Sequence, residues 1–123
     1  MSSRIEYRSG KWYPTKPQCY YLSVILLNQN NDGWAAVCLQ LDIAAQGRSL
    51  EDVMGSFERT VISQVALDLN QDRKPFQDIR QSPIEYWHLF QSAQFFAYPR
   101  PLRIPEYITE VMITVEYRIA FSG

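Results

Sequence analysis

"DIAAQGRSLEDVMGSFERTV", residues 42–61, is the stretch whose reading decides the fold. Ile43 to Gln46 makes a short strand, Gly47 turns the chain, and Ser49 opens a helix. Ser49 stands three residues before Asp52, so its hydroxyl can cap a free N–H. Glu51 and Asp52 place carboxylates at the positive end of the helix dipole. Leu50, Val53, Met54, Phe57, Val61 and Val65 then recur at helical spacing, one stripe aimed at a sheet. The helix is expected to run to about Leu69, where "NQDRKP" ends it. Gly47 is expected at positive φ or close against another backbone. Gly55, on the far side of the stripe, costs roughly 1 kcal/mol against alanine, and nothing in the sequence explains it.

Toward the N-terminus, Tyr20 to Leu27 is a β-rich run, "NQNNDG" supplies turn residues, and Trp34 to Leu39 is a second run. Together they read as a hairpin. Residues 1–19 form an arm: Arg4, Arg8, Lys11 and Lys16 against Glu6 give it +3, with Tyr7, Trp12 and Tyr13 interleaved.

Toward the C-terminus, Ser82 as cap and Pro83 in the first turn predict a second helix over 83–97. Tyr86, Leu89, Phe90, Ala93, Phe96 and Ala97 share one face, with Ile84, Trp87 and Phe95 nearly opposite. Such a helix is deeply buried or touches two bodies. "YPRPLRIPEY" reads as a proline-stiffened connector. From Val111 to Phe121 apolar and other residues alternate, the clearest period-two signal in the chain. The order predicts an α+β fold, β-β-β-α-(α)-β, with one antiparallel sheet covered by helices. Residues 20–123 form a single domain after the arm.

At 123 residues the chain suits one domain with a real core, and 46% apolar with 20% charged residues argues against disorder. A net charge of -1 provides no global basic field for nucleic acid. No apolar run is long enough for a membrane span, and no signal-peptide core stands at the N-terminus, so a cytoplasmic location with no membrane partner is expected. Cys19, Cys38 and His88 are too few and too dispersed for a structural zinc site.

The quoted stretch and the hairpin before it resemble the HicB-type antitoxin domain. The residues that carry the likeness are Trp34-Ala35-Ala36, Leu39-Gln40-Leu41-Asp42, Ala45-Gln46-Gly47 and Ser49-Leu50-Glu51-Asp52-Val53, with "VMITVEYRIAF" as the closing strand. Leu39 stands where the family usually has proline, and Val53 where it has alanine. The likeness spans about residues 20–70 and the last strand. It implies a fold with partial ribonuclease H and double-stranded-RNA-binding-domain character that generally lacks a catalytic site. Complete antitoxins add a DNA-binding segment, and nothing after residue 70 reads as one, so the orphan form is expected. Trp34, Gly47, Ser49, Asp52 and Phe57 are then structural residues.

A metal-dependent nuclease site needs converging carboxylates. Asp42, Glu51 and Asp52 are candidates, although a helix cap and a solvated turn account for all three. Cys38 with His88 is the one conceivable nucleophilic pair, and each also reads as a packing residue. Every glycine is isolated, so no loop is built to cradle a phosphate-bearing cofactor. No catalytic residue, cofactor or metal is assigned.

The expected function is therefore a non-enzymatic binding domain, neutralising a small toxin or serving as an orphan adaptor. A double-stranded-RNA-binding module using Arg4, Arg8, Lys11 and Trp12 is the alternative, and a vestigial metal-dependent nuclease the third reading. A homodimer is also expected. The last strand outruns its neighbours and would leave unpaired N–H and C=O groups at its end. Ile84, Trp87 and Phe95, with Val115 and Tyr117, are the candidate interface.

Overall fold

The structure, a computed structural model, describes residues 5–8, 11–14 and 16–120, with side chains from residue 16 onward. Two short strands, β1 (Ile5–Arg8) and β2 (Lys11–Pro14), pair antiparallel in a sheet of their own. The main sheet holds β3 (Gln18–Asn28), β4 (Trp34–Cys38), β5 (Ala44–Gly47), β6 (Gln94–Pro101) and β7 (Val111–Ala120). Its order is β5-β4-β3-β7-β6. Helix α1 (Leu50–Asn70) follows β5, and α2 (Ile84–Ser92) precedes β6. The fold is α+β, as the sequence predicts.

The sheet is mixed, however, which corrects the expected antiparallel sheet. β3 and β7 run parallel in an unbroken register from Gln18 beside Val111 to Leu27 beside Ala120, while the other neighbours are antiparallel. Alternation shows which side chains share a face but not which way a strand runs, so the sequence pattern was blind to this. Strand β7 is consequently central, hydrogen-bonded on both sides, and β6 is the edge. The expectation that the last strand outruns its neighbours also fails, because β3 is longer than foreseen and pairs with β7 from Val111 to Ala120.

The quoted stretch folds as its residues dictate. Asp52 N donates to Ser49 Oγ at 3.0 Å, and Val53 N to Ser49 O at 3.0 Å. Gly47 lies outside the left-handed region and is required instead by close approach: an added Cβ would sit 2.5 Å from Val53 N. Nothing larger than hydrogen fits where β5 passes under the start of the helix. Ser49→Ala should lower stability by about 1 kcal/mol; an unchanged urea midpoint would contradict the cap.

The stripe of α1 buries Val53, Phe57, Val61 and Val65 against Leu22, Val24, Ala36, Ile113, Val115 and Tyr117. Each such side chain contributes roughly 1.5–3 kcal/mol of transfer free energy. Trp34, half-buried at the start of β4, packs at the margin of this layer. The opposite sheet face carries a smaller cluster, Ile25, Leu39 and Ala120, under Tyr86, Trp87 and Phe90 of α2. Covered on both sides, β3 and β4 show continuous buried runs at Leu22–Leu26 and Ala35–Cys38 rather than alternation. Among the described residues no helix is long and apolar enough to cross a membrane.

The second helix is shorter than the predicted 83–97. It stops at Ser92, and Gln94–Pro101 is strand β6 instead. Phe95, Phe96 and Tyr98 are β-formers, and Pro99 favours extended backbone before it. The free edge of β7 supplies the ladder that a helix would forgo. Pro83, not Ser82, is the N-cap residue. Ser82 is buried, where its hydroxyl donates to Cys38 O at 2.6 Å and pins the linker to the end of β4.

Candidate protein-binding surface

Period-two geometry puts Cys19, Tyr21, Ser23, Ile25 and Leu27 of β3 on the α2 face, beside Met112, Thr114, Glu116, Arg118 and Ala120 of β7. Nine residues make α2 about 13 Å long, whereas the eleven of β3 reach about 36 Å. The helix therefore covers only one half of this face, over Ile25 and Ala120. On the other half Tyr21 is 48% exposed and Met112 58%. Edge strand β6 adds Phe95 at 53% and Tyr98 at 85%, their rings edge to face with centroids 5.3 Å apart.

A polar seam divides the covered half from the open one. The Tyr21 hydroxyl donates to Glu116 Oε1, and Arg118 Nε donates to Glu116 Oε2 at 2.8 Å. The Tyr21 bond, ahead of Arg118, holds the Glu116 carboxyl below its usual range against the opposing effect of burial. The same bond raises the Tyr21 phenol. Arg118 also donates to Phe90 O at 3.1 Å, with its guanidinium 4.2 Å from the Phe90 ring centroid. The seam thus ties α2 to β7 through one stacked arginine.

Strand addition at the β6 edge is hindered. Leu102 N donates to Ile113 O at 2.7 Å, so alternation turns Arg100 toward β7 and Pro101, with Pro99, toward the open side. Both positions facing outward there lack an N–H. The register also slips between Phe95 and Ala97 and again between Ala97 and Arg100. Prolines and bulges are the usual protections of an edge. What β6 offers a partner is its aromatic side chains.

Of the interface candidates, Ile84 is 62% exposed on α2, and Phe95 is exposed on β6. Trp87 packs on its own sheet. Val115 and Tyr117, each 1% exposed, are withdrawn from any external surface, a correction that follows from their lying on the sheet face that α1 covers. Sequence reasoning missed Tyr98 and Met112. The signal for Met112 was its place on the second face of the last strand, while Tyr98 was hidden in an assumed connector.

Tyr117 has a different task. Its hydroxyl donates to Glu58 Oε2 at 2.6 Å, which also accepts from Arg100 Nη2 at 3.2 Å. Burial first, then Glu58, raises the phenol well above its ordinary value of 10.0. The folded state therefore keeps a proton that the unfolded chain surrenders near pH 10. The contribution is complete below that pH and is lost as pH rises toward the folded value, by at most about 1.4 kcal/mol per unit. Tyr117→Phe should flatten the alkaline stability profile by up to that slope. Parallel wild-type and variant profiles between pH 9 and 11 would contradict it.

The other chemistry-bearing candidates are not brought together. Cys38 is in the core, its thiol pushed up to about 11 by burial, and His88 is exposed on α2. Asp42 is exposed near Ser82 Oγ at 3.4 Å, and Glu51 and Asp52 are exposed at the start of α1. Among the described residues no three His, Cys, Asp or Glu side chains converge to hold a metal. Arg4 lies outside the described residues. Arg8, Lys11 and Trp12 are described in backbone alone, Arg8 opposite Lys11 and Trp12 opposite Tyr7. Comparison of the chain with protein-family models, curated proteins and solved structures finds no match.

Proposed function

We propose that the chain is a cytoplasmic, non-enzymatic binding domain of HicB type. It acts on protein, neutralising a small toxin or serving as an orphan adaptor. The single observation that carries this reading is the apolar surface of Tyr21 and Met112 on the half of the sheet face that α2 leaves uncovered, continued along edge strand β6 by Tyr98 and Phe95. Exposed Tyr and Phe on rigid strands give large contact area at low entropic cost, the composition found at the centre of protein interfaces. The hairpin, short strand and capped helix over residues 18–70 support the family part of the reading, since they follow the order that the resemblance implies.

Titration calorimetry with a small basic protein encoded beside this gene tests the function. Binding is expected, weakened at least tenfold by Tyr98→Ser, with no binding to double-stranded RNA at physiological salt. RNA binding that survives 0.2 M salt, with no protein binding, would overturn the reading.

A further inference from the structure

The chain itself holds a segment fitted to the open half-face. In the β1–β2 hairpin Ile5 stands opposite Pro14 and Tyr7 opposite Trp12, alternating with Glu6 opposite Tyr13 and Arg8 opposite Lys11. Alternate pairs of a two-stranded ribbon share a face. Ile5, Tyr7, Trp12 and Pro14 therefore fall on one side, which is apolar, and Glu6, Arg8 and Lys11 on the other. A lone hairpin of four-residue strands is marginal in water and gains stability by laying its apolar side on another element. Only Thr15, Lys16 and Pro17 separate it from Gln18, where β3 begins.

We propose that the apolar side of this hairpin docks on the open half-face, over Tyr21 and Met112, and that a protein partner must displace it. From Pro14 to Gln18 the chain reaches at most about 14 Å. That is enough to climb the roughly 10 Å between packed layers, and it keeps the hairpin at the end of β3 where the face is open. Tethered so closely, the hairpin has an effective concentration on the order of millimolar, which any separate molecule would have to outcompete. The opposite side of the same sheet end is already filled. Tyr20 packs edge to face on Phe76 there, and Leu102 and Ile104 join the core beside Val111 and Ile113. Four-residue strands span about 13 Å, so a hairpin folded back along β3 reaches Tyr21 and Met112 and stops short of α2 over Ile25. Two strands wide, it overlies β3 and β7 and leaves Phe95 and Tyr98 of β6 for a partner's first contact. The displacement rests on the reading that this surface binds protein; the docking does not.

Thiol labelling tests the docking. In a Cys19→Ser background, Met112→Cys places a thiol under the hairpin, and its reaction with a maleimide is timed with and without Tyr7→Ser and Trp12→Ser. The two serines should raise that rate at least tenfold. Tyr107→Cys, at a position exposed elsewhere, should react equally fast in both chains. Equal rates at position 112 overturn the docking. A benzophenone side chain at position 12 gives a second reading that leaves the sheet face unaltered. Its crosslink, in dilute purified protein, should fall within the same chain in residues 19–23 or 112–116. Crosslinks only to other segments, or only to a second copy, overturn the docking likewise. Calorimetry with the small basic protein separates the two claims, since the chain with both serines should bind it at least tenfold more tightly than wild type. Equal affinity with position 112 protected overturns the displacement alone. If position 112 is unprotected and that protein binds, the hairpin is refuted and the proposed function stands. If it is protected and no protein binds, the docking stands and the proposed function falls.

Discussion

Phe57→Ala should lower the stability of the domain by about 4 kcal/mol, within the range for truncating a buried phenylalanine. Phe57 is fully buried at the middle of the α1 stripe, its ring edge to face with Tyr117 at 6.4 Å. Truncation removes the apolar contact of α1 with the centre of the sheet and leaves a cavity that helix and sheet are too rigid to close. Phe57→Leu keeps most of the volume and should cost less than about 1.5 kcal/mol. Tyr98→Ala, on the open face, should stay within about 0.5 kcal/mol of wild type. Urea unfolding followed by circular dichroism measures all three. A loss below 1 kcal/mol for Phe57→Ala would mean that α1 does not pack as described.

Asp68→Ala should cost about 3 kcal/mol, for a different reason. Asp68 is 1% exposed near the end of α1 and accepts from Phe76 N at 2.8 Å, Arg73 Nη2 at 2.8 Å and Gln64 Nε2 at 3.2 Å. It gathers the turn after the helix, holding Phe76 at a φ of 65°, which non-glycine residues adopt at some cost. Phe76 in turn packs its ring edge to face on Tyr20 at 5.1 Å. Removing the carboxylate strands a buried N–H, a loss of about 1–3 kcal/mol alone, and releases the charged partner. Asp68→Asn retains an acceptor for Phe76 N and should lose about half as much. Trypsin should then cut faster after Arg73 in the alanine variant. Unchanged stability and unchanged cleavage would show that the turn is held by something else.

The residues near the quoted stretch made their structure legible because the determinants are local. Ser49 sees Asp52 three residues away, and the spacing from Val53 to Val65 marks the buried side of one helix. The rest depends on partners distant in sequence. Nothing between Gln18 and Val111 announces that β3 and β7 run parallel. Phe95 to Tyr98 fit a helical face or a strand equally well until the edge of β7 is there to receive them. Asp68 gives no signal of its role in the sequence, since the turn it binds returns only at Phe76. The candidate surface was half legible. Ile84 and Phe95 were visible as excess apolar residues, whereas Val115 and Tyr117 were misplaced because alternation does not say which face of the last strand α1 covers.

The central claim is that the open half of the α2 face binds protein. A photoreactive benzophenone side chain placed at position 98, where Tyr98 is 85% exposed, tests it most directly. After illumination in the cells that make the protein, adducts are purified and sized, and the crosslinked peptide is sequenced. The expected result is a protein adduct at position 98. An adduct of RNA, or none at position 98 when one forms at a control position on the outer side of α1, would contradict the account.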